Sequence, residues 1–106
     1  MSYDAVLAVQ GNPINGSHRV TLSNAQLSLT DRGIPITKGD MKAVGVLISV
    51  ETYDARILFG TANLALGHVL AVGSSGNFNG AKAVESIKIG NKTAGSNAVV
   101  EVTVFF

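Results

Sequence analysis

The chain has 106 residues, of which 46% are hydrophobic and 14% are charged, and its formal net charge is +1. This length predicts one domain over residues 1–106 that buries roughly 60–70% of the surface of the unfolded chain. Such a chain needs neither a disulfide nor a metal to form a core, and with no cysteine and two histidines we expect neither. The low, balanced charge excludes strong electrostatic attraction to nucleic acid or to an anionic membrane.

Turn-forming residues recur at short intervals and separate short segments of alternating polarity, the pattern of a β-sandwich or barrel. We predict strands over residues 2–9, 18–22 and 26–29, with a loop over residues 11–16. Residues 30–33 have the composition of a type I turn closed by a left-handed glycine. The first third of the chain is therefore expected to contain three short strands.

The strongest candidate for a central strand covers residues 43–50, after an irregular or edge segment at Pro35 and a turn around Gly39. Its partner is predicted over residues 53–59. Alternation places two sets of side chains on the inner faces of these strands, namely Val44, Val46, Ile48 and Val50 in the first and Tyr53, Ala55, Ile57 and Phe59 in the second.

A glycine-, serine- and asparagine-rich loop is predicted over residues 73–80, after a short strand at residues 68–72. Residues 61–66 fit either a helical turn or a loop. Phe78 lies in the middle of the glycine-rich loop. It either folds back as a lid over one end of the sandwich or protrudes as an anchor for a neighbouring molecule.

The last segment, residues 98–106, alternates almost perfectly and follows a strand predicted over residues 84–89 and a turn at residues 90–91. Two terminal phenylalanines must be covered by the chain's own sheet or by a neighbour. Alternation divides the segment into two faces, with Val100, Val102, Val104 and Phe106 on one and Glu101 and Thr103 on the other. The chain thus predicts an all-β sandwich of about eight strands with little helix, for which the jelly roll is one candidate topology.

The hydrophobic composition indicates self-association. Thirteen valines and seven isoleucines stand against nine leucines, and β-branched side chains suit the pleated surface of a sheet. With so few charged residues, a monomer would leave apolar surface poorly covered. We therefore expect a homo-oligomer, with a trimer as the expected state.

No residue pattern in the sequence indicates catalysis, a cofactor or a metal. His18 and His68 have no acidic or cysteine neighbour at ligand spacing. The glycine-rich loop before Lys82 lacks the Gly-Lys-Ser/Thr order with which a P-loop binds phosphates. The carboxylates in turns and at strand ends are expected to be solvated rather than paired for acid–base chemistry; they are Asp31, Asp40, Glu51 and Asp54.

The first residues lack the basic and apolar regions of a signal peptide. No apolar run approaches the roughly 20 residues of a membrane span. We expect synthesis in the cytoplasm, with no membrane partner. Without a secretory signal, the glycosylation patterns at Asn15 and Asn91 are interpreted as coincidence.

The second half of the chain resembles a group of small virion proteins of tailed bacteriophages. The segments that carry the resemblance are R-I-L-F at residues 56–59, G-H-V-L-A-V-G at 67–73, G-A-K-A-V at 80–84, I-K-I at 87–89 and V-V-E-V-T-V-F at 99–105. The resemblance implies an accessory structural component of the virion, first of all a protein that decorates or cements the head shell. It implies no catalytic residues.

We therefore predict a non-enzymatic virion protein that binds itself and the phage major capsid protein, without nucleic acid. The alternative is a tail or fibre component, or a receptor-binding module that recognises a cell-surface glycan. An enzyme would need a cluster of carboxylates or histidines formed only in three dimensions. The predicted contact residues lie at the two ends of the chain and in the glycine-rich loop; they are Met1, Ser2, Tyr3, Phe78, Phe105 and Phe106.

Overall fold

The computed structural model describes residues 13–59 and 68–106, with side chains from Ser17 onward. In this part the chain is mostly β-strand, as predicted, and the helix α1 (Ala81–Ser86) is short. The strands are β1 (Pro13–Thr21), β2 (Leu27–Ser28), β3 (Thr37–Lys38), β4 (Met41–Lys42), β5 (Gly45–Thr52), β6 (Ala55–Phe59), β7 (His68–Leu70), β8 (Ser75–Asn79), β9 (Ile87–Asn91) and β10 (Val99–Phe105). The strand predicted over residues 2–9 and the ambiguous segment 61–66 lie outside the described residues.

Eight of these strands form two four-stranded antiparallel sheets, with the orders β1-β10-β5-β8 and β2-β9-β6-β7, and β3 and β4 form a separate hairpin. When that hairpin is set aside, the first strand pairs with the last, the second with the seventh, the third with the sixth and the fourth with the fifth. These pairs are the successive rungs of one long antiparallel hairpin, and they alternate between the two sheets because the hairpin is folded over on itself. The strand pairing is that of an eight-stranded jelly roll.

The core lies between the two sheets and is built on the two central strands of the first sheet. Ile48 of β5 lies opposite Val102 of β10, and the neighbouring inner pairs are Val46–Val104 and Val50–Val100. All six side chains are buried, and Ile57, Ile87 and Ile89 of the second sheet join the same cluster. Full burial of one such side chain contributes about 1.5–3 kcal/mol. The alternation predicted for the central strands is therefore confirmed for these six positions.

The predicted pairing between residues 43–50 and 53–59 is wrong, because β5 and β6 belong to different sheets. The chain crosses from one sheet to the other at Tyr53, which has a φ of 57°. This left-handed conformation is unfavourable for a residue with a side chain. Tyr53 is exposed rather than inward, and so is Val44, since β5 begins only at Gly45.

The predicted glycine-rich loop is largely the strand β8, which pairs with β5 along its whole length. Glycine and asparagine are poor strand formers, so the local sequence favours a loop. The neighbouring strand supplies hydrogen bonds that override this preference. The predicted loop over residues 11–16 likewise gives way to β1, which begins at Pro13.

The strand predicted over residues 84–89 is half wrong, because α1 runs to Ser86 and β9 begins at Ile87. Alanine, lysine and glutamate in this segment are good helix formers, and Val84 is the buried side chain of the helix. The turn predicted at residues 90–91 is also wrong. Gly90 continues β9 opposite Arg56, and a Cβ at Gly90 would collide with the side chain of Gln26 and lie 2.8 Å from the carbonyl oxygen of Ala25.

Asn91 joins three segments at the end of the sandwich where β9 ends. Its side chain is 6% exposed. Its Nδ2 donates hydrogen bonds to the Oδ1 atoms of Asn24 (3.1 Å) and Asn97 (2.9 Å). Its Oδ1 accepts a hydrogen bond from the backbone N–H of Ala98 (2.8 Å). Because both polar groups of the amide are bonded, Asn91 is unsuited to carry a glycan in the folded chain.

Arg32 connects the segment before β2 to the second sheet. It lies in the turn at residues 30–33, and the left-handed conformation predicted for Gly33 is confirmed by a φ of 83°. Its guanidinium donates to the carbonyl oxygens of Ala25 (2.6 Å) and Ile89 (3.1 Å) and to the Oγ of Ser23 (3.2 Å). Burial lowers the pKa of the Arg32 guanidinium below its ordinary value. The side chain thus acts as a partly buried clamp with several acceptors.

We expect Arg32→Met to lower the free energy of unfolding by about 1–3 kcal/mol, because partly buried acceptors lose their donors. Arg32→Lys should not restore stability, since an ammonium group lacks the planar fork that reaches acceptors in several directions. Urea unfolding of the three proteins measures both effects. A lysine variant as stable as the original protein would show that charge alone, and not the fork, is what the site requires.

Candidate interaction surface

The structure brings three of the predicted contact residues to one end of the first sheet. Phe105 ends β10 and lies opposite Gly45, the first residue of β5. Phe78 of β8 lies opposite Val46, one position further along β5. Phe106 follows Phe105 at the same end. The other three predicted contact residues, Met1, Ser2 and Tyr3, lie outside the described residues.

The two terminal phenylalanines differ in burial. Phe105 is 0% exposed, and it lies on the face of the sheet opposite the core valines. Phe106 is half-buried and packs against the core, as the alternation of the last strand predicts. The Phe105 side chain is therefore buried within its own chain. Its role as a contact residue stays a prediction.

Phe78 folds back along its own strand, the first of the two alternatives left by the sequence. A Cβ at Gly76 would lie 2.8 Å from the Cε2 and Cζ atoms of the Phe78 ring, so the ring covers this glycine. The ring also meets that of Phe59 edge to face, with centroids 5.7 Å apart and an interplanar angle of 61°. Phe78 thus packs against the core and keeps part of its surface exposed.

Two exposed apolar side chains that the sequence placed in the core lie at this same end. They are Val44, just before β5, and Phe59, the last residue of β6. Alternation identifies the face of a strand, but it does not show how far along the strand the facing sheet extends. We call the set Val44, Phe59, Phe78 and Phe106 the aromatic end. Partly exposed aromatic side chains of this kind are enriched at protein interfaces.

The opposite end of the sandwich also exposes apolar side chains, Tyr53 and Val72. Asp54 fixes the backbone there, because its Oδ1 accepts a hydrogen bond from the N–H of Val72 (2.9 Å). Its Oδ2 lies 3.6 Å from the Nζ of Lys92. The sequence missed Tyr53 as a surface residue because alternation does not reveal a left-handed turn.

The outer face of the first sheet carries a group of hydroxyl side chains, beside the buried Phe105 at one end. The hydroxyls of Ser17 and Thr103 share a hydrogen bond of 2.7 Å, and those of Ser49 and Ser75 share one of 3.1 Å. Further along, the Nε of Arg19 lies 2.8 Å from the Oε2 of Glu51, with both side chains exposed. An exposed ion pair contributes at most about 1 kcal/mol, so this face is defined by its hydroxyl groups.

The two histidines lie at opposite margins of the sandwich. His18 is in β1, at one edge of the first sheet, and His68 is in β7, at one edge of the second. β7 lies over β8, the other edge of the first sheet, as shown by the 3.1 Å between a Cβ placed on Gly76 and the Cδ1 of Leu70. Among residues 13–59 and 68–106, no three His, Asp or Glu side chains are grouped closely enough to hold a metal ion. Asp31 and Asp40 are exposed in turns.

Comparisons with protein-family models, with curated proteins and with solved structures find no match to this chain. The resemblance to phage virion proteins therefore stays a prediction. In the described part of the chain, no helix has the length and apolar character needed to cross a membrane.

Proposed function

We propose that the protein is a non-catalytic structural subunit of a phage virion, which decorates or cements the head shell as a homo-oligomer on the major capsid protein. The observation that carries the proposal is the jelly-roll strand pairing, since this architecture recurs in viral capsid and lectin domains. The exposed side chains at the two ends of the sandwich add a physical argument.

A subunit that cements a shell must contact two neighbours, and this one exposes apolar side chains at both ends. The aromatic end includes the exposed Val44 and Phe59, and the other end exposes Tyr53 and Val72. Covering such side chains gains about 25 cal/mol for each Å² removed from water. With a net charge of +1, subunits would approach one another without strong repulsion.

Removing the gene from the phage that encodes it should give particles that lack this 10.9 kDa protein and release their DNA at lower temperature or under milder osmotic stress. Purified protein should restore stability. The double variant Val44→Ser, Phe59→Ser should bind particles at least about tenfold more weakly, because it removes apolar anchors. DNA release and binding to deleted particles are the measurements.

Asp31→Ser, a change in an exposed turn, is the matched control and should bind as the original protein does. Circular dichroism shows whether the double variant keeps its fold. A protein absent from purified particles, or a folded double variant that binds them at full strength, would contradict the proposed role.

The alternative of a glycan-binding tail or fibre module is favoured by the hydroxyl-lined face of the first sheet and by the exposed ring of Tyr53. Lectin domains also use the jelly roll. A glycan array discriminates the two functions. Specific glycan binding that is lost in Tyr53→Ala would place this alternative first.

A further inference from the structure

The strand β8 closes one side of the first sheet, and no other described strand pairs with its outer edge. Two hydrogen bonds fix which backbone groups point outward. The N–H of Val50 donates to the carbonyl of Ser74 (3.0 Å), and the N–H of Gly80 donates to that of Val44 (2.7 Å). Hydrogen-bonded and non-bonded pairs alternate in an antiparallel ladder.

It follows from this alternation that the even-numbered residues of β8, Gly76 and Phe78, direct their N–H and C=O groups at β5. The backbone groups of the odd-numbered residues point away from the sheet, and these residues are Ser75, Asn77 and Asn79. The outer edge of β8 therefore presents an alternating row of donors and acceptors, which is the template that another strand needs.

The other outer strands of the two sheets carry features that discourage such pairing. β1 contains Pro13, an irregularity of register between Pro13 and Ser17, and the charged Arg19. β2 has two residues and β7 has three. β8 has five residues, no proline, no charge and a regular register. An edge strand is usually protected from pairing by charged side chains, by proline, by an irregular register or by being short. β8 has no charged side chain, no proline and no irregularity.

We propose that the outer edge of β8 pairs antiparallel with β8 of a second copy of this chain, with Asn77 on the two-fold axis. This pairing would be a contact between copies in the homo-oligomer of the proposed function, and the inference rests on that self-association. Centring on Asn77 sets Ser75 opposite Asn79 of the second copy and Asn77 opposite Asn77 of the second copy. All the outward groups then meet, with about six backbone hydrogen bonds.

The side chains of β8 suit a second copy of the same strand. Because β8 is uncharged, two copies meet without repulsion, whereas β1 carries the charged Arg19. On the outer face, the Ser75 hydroxyl would adjoin the Asn79 amide of the second copy, a pair of donor and acceptor groups. The contact is self-complementary, as a two-fold interface requires.

Sedimentation velocity over a range of concentrations tests the pairing with two matched variants. Asn77→Pro removes the outward N–H and leaves the ladder to β5 intact, since proline is tolerated at such edge positions. Asn77→Ala removes the side chain and keeps the N–H. We expect a species of twice the chain mass, a dissociation constant at least about tenfold higher in Asn77→Pro, and a change within about threefold in Asn77→Ala.

Amide hydrogen exchange of the original protein gives a second test that needs no variant. The N–H groups of Ser75, Asn77 and Asn79 should be protected at high concentration and lose protection on dilution. Those of Gly76 and Phe78 should stay protected throughout. A monomer at all concentrations, or an oligomer of any size that neither Asn77→Pro nor dilution affects at these three amides, would overturn the proposal.

Failure of this pairing and failure of the virion role give different results. A protein that binds phage particles but does not pair through β8 keeps the proposed function and loses the edge contact. A protein that dimerises through β8 and binds no particle keeps the edge contact and loses the virion role.

Discussion

Replacing Phe105 with alanine should lower the free energy of unfolding by about 3–5 kcal/mol, the range for loss of a buried aromatic ring. The side chain is 0% exposed and ends the strand that lies between β1 and β5. Domains of this size are stable by about 5–15 kcal/mol. The variant should therefore lose a large share of its stability, as measured by urea unfolding.

Phe106→Ala is the matched control, because Phe106 is the next residue and is only half-buried. It should cost clearly less stability than Phe105→Ala. If Phe106 is a contact residue, its loss should weaken association while the fold persists. A Phe105→Ala protein as stable as the original would contradict the structural role assigned to this ring.

Asn91→Ala should lower the free energy of unfolding by about 2–3 kcal/mol, because it leaves the N–H of Ala98 buried without an acceptor. Ala98 is itself completely buried in the folded chain. The variant also frees the side chains of Asn24 and Asn97. Thermal and urea unfolding measure the loss.

Asn97→Ala is the comparison for this position. Asn97 is exposed and supplies a single acceptor to the Asn91 amide, so its removal should cost roughly 1 kcal/mol or less. Equal losses in the two variants would mean that the hydrogen bond to Ala98 contributes little. Efficient glycosylation at Asn91 in a secreted form of the folded protein would also contradict the burial described.

The sequence predicted the central strands well because their polarity pattern is strong. In the last strand the valines at 100, 102 and 104 all face the core, and the same holds for Val46, Ile48 and Val50 of β5. A side chain that alternates with polar neighbours has one low-energy placement in a sheet that is buried on one face. Burial of these positions therefore followed from local pattern.

The sequence failed where a strand depends on its neighbour. β8 is built from serine, glycine and asparagine around one phenylalanine, and only the hydrogen bonds of β5 make it a strand. Val44 and Phe59 were placed inside because alternation carries no information on where the facing sheet ends. Because of these two errors, the sequence did not predict most of the aromatic end or the outer edge of β8.

The amino-acid pattern is enough to predict an all-β fold and the inward faces of its two central strands, since side-chain polarity along a strand is a local property. The jelly-roll pairing of first strand with last, the crossing between sheets at Tyr53 and the strand character of residues 75–79 depend on long-range contacts. Strand partners lie far apart in sequence, and backbone hydrogen bonds look alike at every residue. Which edge stays open to a second molecule is therefore decided by the complete set of pairings.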